Sequence, residues 1–213
     1  MTEYSYLVKI TIALLAIVNP LGCLPIFISA TEGWKKADRA RTARKVALTV
    51  LIVLSLSAFI GDTILDFFGI SIPSFQVGGG ILILLMSISM MHGKASSTQQ
   101  TVQEAQDLSD REVIAVVPLS IPLLAGPGAI SSMILNAQQH PTFLGHASLI
   151  VPVLFISILI WLVLQLADVI TQQLGSIGIN IITRLMGLIL AAMAVEFIAH
   201  GLIGLFPQLA SVQ

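Results

Sequence analysis

Charge is scarce in this chain. Only 10% of its 213 residues are Asp, Glu, Lys or Arg, against 56% apolar, and the mean hydropathy is +0.96. A soluble globular protein carries roughly 25% charged residues because its surface must face water. Twenty-one charged side chains cannot give this chain such a surface, which excludes a soluble enzyme, a nucleic-acid binder and a disordered chain. A net charge of −1 offers no attraction to a polyanion. Cysteine is almost absent: with Cys23 alone, an internal disulfide, a Cys-based zinc site and a CxxC redox relay are excluded. The N-terminal segment also lacks the features of a cleaved leader. It opens with Glu3, has Lys9 as its single base, and is interrupted at Asn19-Pro20, so it is expected to be retained.

What remains is long apolar runs. A helix needs about 20 mostly apolar residues to cross the hydrocarbon core. Six segments meet that length: 7–30, 46–68, 72–91, 113–137, 149–170 and 181–206. Residues 113–167 contain no Asp, Glu, Lys or Arg, and His140-Pro141 with Gly145-His146 supply a turn between two crossings. An all-α membrane protein of six transmembrane helices is expected. The connection after the first span holds Lys35, Lys36, Arg39, Arg41, Arg44 and Lys45, six of the ten bases. The positive-inside rule puts it in the cytoplasm, where it can also meet anionic lipid. The polar connection 94–112 then lies inside, Asp62 and Asp66 outside, and both termini are extracytoplasmic.

The chain matches itself at an offset of 107 residues. Pro20 falls on Pro127, Gly80-Ile-Leu-Ile-Leu-Leu-Met86 on Gly187-Leu-Ile-Leu-Ala-Ala-Met193, and Val46 on Val153. Three spans per half is an odd number, so the halves 1–93 and 113–206 enter the membrane from opposite sides, with 207–213 as a tail. Transporters built from such inverted repeats bind substrate near the midplane, where the halves meet.

Spans one and four are expected to be broken. Asn19-Pro20-Leu21-Gly22-Cys23-Leu24-Pro25 interrupts the first; Pro118, Pro122 and Ala125-Gly126-Pro127-Gly128-Ala129 interrupt the fourth. Proline removes a donor and clashes with the preceding turn, and glycine lowers helix propensity. Unpaired backbone in hydrocarbon persists only inside protein or along a cavity. A helix restarting after each break presents free N–H groups to a carboxylate, and freed carbonyls suit an ammonium group or cation. A small zwitterionic amino acid satisfies both. The plainer reading is that each proline only kinks its helix.

Other candidates flank the breaks. Gly78-Gly79-Gly80 and Gly187 let backbones touch, by default as packing. Gln76 reaches toward the cavity, with Thr183 as its repeat partner, and Ser131 follows the second break. Arg184 either snorkels or clamps a carboxylate. Glu196, with His200 one turn later, is a proton or coupling-ion candidate if desolvated, or one half of a satisfied pair. Asp168 sits at the end of span five. A Ser–His nucleophile from Ser131, Ser132, His140, His146 and His200 is the enzymatic alternative, without a Gly-x-Ser-x-Gly elbow or an HExxH signature to support it. A passive channel would need a continuous polar stripe, which these spans lack, and no Walker A loop is present to drive a pump.

Three segments together resemble the MarC family, also called the six-span neutral amino acid transporter family, and most closely its SnatA-type (YchE-like) branch. They are Asn19-Pro20-Leu21-Gly22, the run from Val117 to Gly128, and Thr183-Arg184-Leu185-Met186-Gly187-Leu188. The resemblance covers nearly the whole chain. It implies a bacterial inner-membrane carrier for small neutral amino acids such as alanine and glycine, acting as an exporter coupled to H+ or Na+. The family's name also suggests antibiotic efflux. Carried over by position, the motif residues are Asn19, Pro20, Gly22, Gly126, Pro127, Gly128 and Arg184. The expected partners are the amino acid, the coupling ion and membrane lipid, with no nucleic acid, no metal and no cofactor; a homo-oligomer is left open.

Overall fold

The structure, a computed structural model, describes residues 3–31, 33–92, 120, 124–140 and 142–208. Pro118, Pro122, Pro141, the whole connection 94–112, the start of span four and the last five residues lie outside this set. The described elements are α1 (Glu3–Val18), α2 (Leu24–Ala30), α3 (Lys36–Phe67), α4 (Ile72–His92), α5 (Pro127–Gln138), α6 (Phe143–Ser148), α7 (Ile150–Gln165) and α8 (Ala167–Leu205).

Four helical stretches among these residues are long and apolar enough to cross a bilayer: Lys36–Phe67, Ile72–His92, Phe143–Gln165 and Ile177–Leu205. Ser5–Val18 is a shorter apolar helix. Their outward faces carry Leu48, Ile52, Leu56, Leu85, Val151, Phe155, Ile181 and Leu188, all largely exposed. The interior holds Leu14, Leu24, Phe27, Leu54, Ile156 and Ile160 together with Thr31, Thr42, Ser87, Ser131, Ser132 and Ser157 and buried Ala and Gly. An exterior as apolar as the core, with hydroxyl-bearing residues turned inward, is the distribution that lipid, not water, selects.

Several expected boundaries move. The basic segment is not a loop: helix α3 already begins at Lys36, so Lys36, Arg39, Arg41, Arg44 and Lys45 lie on its first turns. At 1.5 Å per residue its 32 residues reach about 48 Å, longer than the ~30 Å hydrocarbon core. The charged turns can therefore stand beyond the lipid tails, and Ala, Arg and Lys are good helix formers. Gly145 and His146 are likewise helical. The turn is made earlier, where the Thr142 hydroxyl accepts from the Gly145 N–H at 3.0 Å and caps α6. Helix α6 stops at Ser148 because Pro152, four residues on, cannot donate to its carbonyl. Residues 167–205 form two helical stretches joined at Gly175, whose φ of 62° and ψ of 175° are non-helical, and the membrane-crossing stretch, Ile177–Leu205, begins close to the expected residue 181.

Helix α4 packs along α8, the most extensive pairing in the protein, while α3 packs on α7 and α5, and α1 packs on α7, α5 and α8. Close approach of α4 and α8 rests on glycine. A Cβ at Gly80 would lie 3.0 Å from the Ala194 carbonyl oxygen and 2.8 Å from Ile198. One at Gly187 would lie 3.1 Å from the Ser87 carbonyl oxygen and 3.2 Å from Met91. The neighbouring Gly78 meets nothing within 4 Å. Gly80→Val is therefore expected to destabilise the helix pair by about 1–3 kcal/mol through overpacking, and Gly187→Val likewise. Gly78→Ala should leave the melting temperature in detergent unchanged. Equal melting of Gly80→Val and wild type would show that the backbones do not need this contact.

Candidate functional site

The first interruption is a tight turn that satisfies its own backbone. Asn19 has φ 45°, the single positive φ of a non-glycine among the described residues. Asparagine tolerates this region better than other side chains because its short amide bonds locally. Here its carbonyl oxygen accepts from the Gly22 N–H at 3.1 Å, and its Oδ1 faces the same N–H at 3.3 Å. A Cβ at Gly22 would collide with that amide, which explains the glycine. Buried Cys23 donates from Sγ to the Pro20 carbonyl at 3.0 Å, and α2 resumes at Leu24.

The second interruption is built differently. The Ala125 N–H reaches back to the Ser120 carbonyl at 2.8 Å, a five-residue step that widens the turn. Gly126 is then extended, at φ −76° and ψ 173°, the conformation imposed on a residue before proline. Helix α5 starts at Pro127 with proline in its first turn and no side-chain cap. Gly126, Gly128 and Ala129 are all buried. A buried helix N-terminus without a side-chain cap leaves backbone donors for a ligand.

The two interruptions are brought together near the middle of α4. A Cβ at Gly128 would lie 2.8 Å from Ile83 and 3.4 Å from Ile17, two residues before Asn19. One turn on, Ser131 is 2.8 Å from the Cβ position of Gly79. Asn19, Pro20 and Gly22 therefore share a neighbourhood with Gly126, Pro127, Gly128 and Ser131. The breaks are not equivalent, however. In the first, the Gly22 N–H bonds to Asn19 and the Leu24 N–H to the Leu21 carbonyl, and α2 restarts at Leu24, whereas the repeat partner of Pro127 is Pro20.

Gln76 and its repeat partner Thr183 do not meet each other. Helices α4 and α8 run antiparallel, with Gly201 and Gly204 against Pro73 and Gly187 against Ser87 and Met90. In that register Thr183 is level with the end of α4, about 25 Å along the axis from Gln76. One small molecule cannot touch both. Gln76 and Thr183 are half-buried, and Arg184 is exposed on α8. Glu196 is exposed rather than sunk in the interior, and the His200 Nδ1 faces its backbone carbonyl at 2.9 Å instead of its carboxylate.

A polar chain that sequence reading passed over joins the halves at the opposite end. The Tyr6 hydroxyl donates to the Asn136 carbonyl at 3.1 Å and lies 3.2 Å from its Oδ1; the Asn136 amide donates to the Ser132 carbonyl at 2.7 Å. The i, i+4 pair Ser132/Asn136 within an apolar helix was its available signal. The His140 ring packs edge-on against Tyr6 at 4.5 Å, beside a cavity of about 510 Å³ lined also by Gln139, Thr142 and Ser148. Ser132 thus meets Asn136, His140 meets Tyr6 and His146 meets Phe59; among the described residues no hydrogen bond joins Ser131 or Ser132 to a histidine. Across the protein, one Arg39 guanidinium nitrogen sits 3.0 and 2.9 Å from the two carboxylate oxygens of Asp168. Exposed ion pairs contribute about 0.2–1 kcal/mol, and Asp168 is half exposed.

Helices of this length with apolar outward faces define an integral membrane protein that crosses the bilayer several times. The chain belongs to the MarC family: the profile of the MarC family integral membrane proteins matches residues 4–206. It is 42% identical to the UPF0056 membrane protein YhcE of Escherichia coli over 97% of this chain and 96% of the relative. It is 36% identical to YvbG of Bacillus subtilis, covering 98% and 99% of the two chains. A membrane protein of Methanocaldococcus jannaschii is also 36% identical, over 95% and 98%. No solved structure matches.

The left-handed residue can be tested directly. Asn19→Gly should keep the melting temperature close to wild type, whereas Asn19→Ala should lose about 1–2 kcal/mol to the left-handed conformation. Asn19→Val should lose more, since branching at Cβ is worst there. An alanine variant as stable as the glycine variant would show that the turn does not depend on this residue's backbone.

Proposed function

We propose that this protein is a secondary transporter of small neutral amino acids, alanine and glycine among them, working by alternating access around the two interruptions. The observation that carries the reading is the buried N-terminus of α5, without a side-chain cap, beside the Asn19 turn. Backbone donors of Gly128 and Ala129 suit a carboxylate, Ser131 lies one turn deeper, and the carbonyls around Asn19-Pro20 suit the ammonium group. In this reading spans one and four are the broken helices, residues 1–93 and 113–206 are inverted three-span repeats, and both termini lie outside the bacterial inner membrane. Export, coupled to H+ or Na+, is the expected direction, with Glu196 as the acid available for a proton and Arg184 as a charge at the cytoplasmic end.

Contacts that repeat at the sequence offset support the two halves. Gly80 faces Ala194 and Ile198, and Gly187 faces Ser87 and Met91. Adding 107 to Gly80, Ser87 and Met91 returns Gly187, Ala194 and Ile198. The contact therefore maps onto itself when the halves exchange. The same exchange turns the packing of α3 on α5 into that of α7 on α2, and both pairings occur.

L-Alanine is expected to raise the melting temperature of the purified protein with saturation, and to exchange across liposomes containing it. Gly22→Leu, which forces a side chain into the Asn19 amide, should abolish flux while the protein still inserts. Failure of alanine, glycine, serine and threonine all to bind or move would discard this reading.

A further inference from the structure

The Arg39–Asp168 pair crosses from one half of the chain to the other, and it does not stand alone. The Arg39 guanidinium also lies over the ring of Phe27, 5.7 Å from its centroid. Phe27 is fully buried on α2, the short helix that leaves the first interruption. One side chain on α3 thus links the segment beyond the Asn19 turn to the start of α8. A cavity of about 330 Å³ adjoins the pair, walled by Lys36, Ala40 and Gln165.

The opposite face lacks this ionic link. The 107-residue offset carries Phe27, Arg39 and Asp168 to Ile134, His146 and Gly61. There Gly61 packs directly against Ile134, and the His146 ring lies edge-on to Phe59 at 5.8 Å. Equivalent positions are closed by charge on one face and by apolar contact on the other.

We propose that Arg39 and Asp168, steadied by Phe27, form the gate on the basic face of the protein, closing the path to the interruptions until the halves part. This rests on the carrier reading and names how access to its site is controlled. A half-exposed ion pair is well matched to a gate, being directional enough to hold one arrangement and weak enough to be exchanged for water at every cycle.

Cys23, the single cysteine, lies buried in the first interruption and reports access without any substrate. Its rate of modification by a membrane-impermeant maleimide is measured in vesicles of both orientations. A Lys36→Cys variant carrying Cys23→Ser identifies the basic face. Asp168→Asn and Arg39→Gln should each label about fivefold faster from the basic face alone, as expected from losing one weak closing contact. The exchange of both charges, Arg39→Asp with Asp168→Arg, restores the ion pair without the Phe27 contact and should label more slowly than either single variant. Unchanged labelling in both single variants, an equal rise from both faces, or no slowing by the exchange would each overturn the gate. The assay needs no amino acid. A failed alanine panel with one-sided labelling would discard the substrate and keep the gate, and the converse result would do the reverse.

Discussion

A peptide group inside a bilayer has no water to bond, and each one left open there costs several kcal/mol. That constraint governs this protein because the helical ladder stops at Pro20, in the turn between α1 and α2, and starts afresh at Pro127, the first residue of α5. Interrupted backbone must be hidden among other helices, and the packing shows how. Gly128 rests on Ile17 and Ile83, Ser131 on Gly79, and the turn at Asn19 is closed by its own amide. The small residues of α4 follow from the same demand. Only a helix with glycine at its middle lets the start of α5 and the flank of α8 approach so closely.

Lipid alters the usual distribution. Large apolar residues of α3, α7 and α8 lie on both sides, with Leu54, Ile156 and Leu190 buried and Leu48, Phe155 and Leu188 facing outward, while Ala, Gly, Ser and Thr sit among the buried ones. Tails as apolar as leucine give no hydrophobic drive between helices, so association rests on close packing and hydrogen bonds. The pairing of α4 with α8 supplies the first, and the chain from Tyr6 through Asn136 to Ser132 supplies the second.

Much of this was legible from residue order, for identifiable reasons. Apolar length marked the membrane helices, because hydrocarbon thickness sets a length that few soluble helices match. Proline chemistry marked the turn at residues 19–23 and the start of α5, since a missing donor acts whatever surrounds it; the extended Gly126 follows from Pro127 alone. Legibility failed where the outcome depends on register between helices. Gln76 and Thr183 are repeat partners, yet antiparallel packing of α4 and α8 sets them at opposite ends. Glu196 looked buried because its neighbours are apolar, but apolar neighbours on a lipid-facing helix do not imply an interior position. The basic segment read as a loop because charge was taken to end a helix, when it only ends the part that lies in lipid.

The two halves share contacts without sharing chemistry. The glycine contacts between α4 and α8 repeat at the 107-residue offset, but their surroundings do not. The Asn19 amide stands against the Gly22 N–H, while α5 opens at Gly126-Pro127 without a side-chain cap. Likewise Arg39 and Asp168 occupy positions whose counterparts are His146 and Gly61. An ion pair at one of these places and the packing of Gly61 on Ile134 at the other respond differently to salt, because screening weakens attraction between charges and leaves apolar contact untouched.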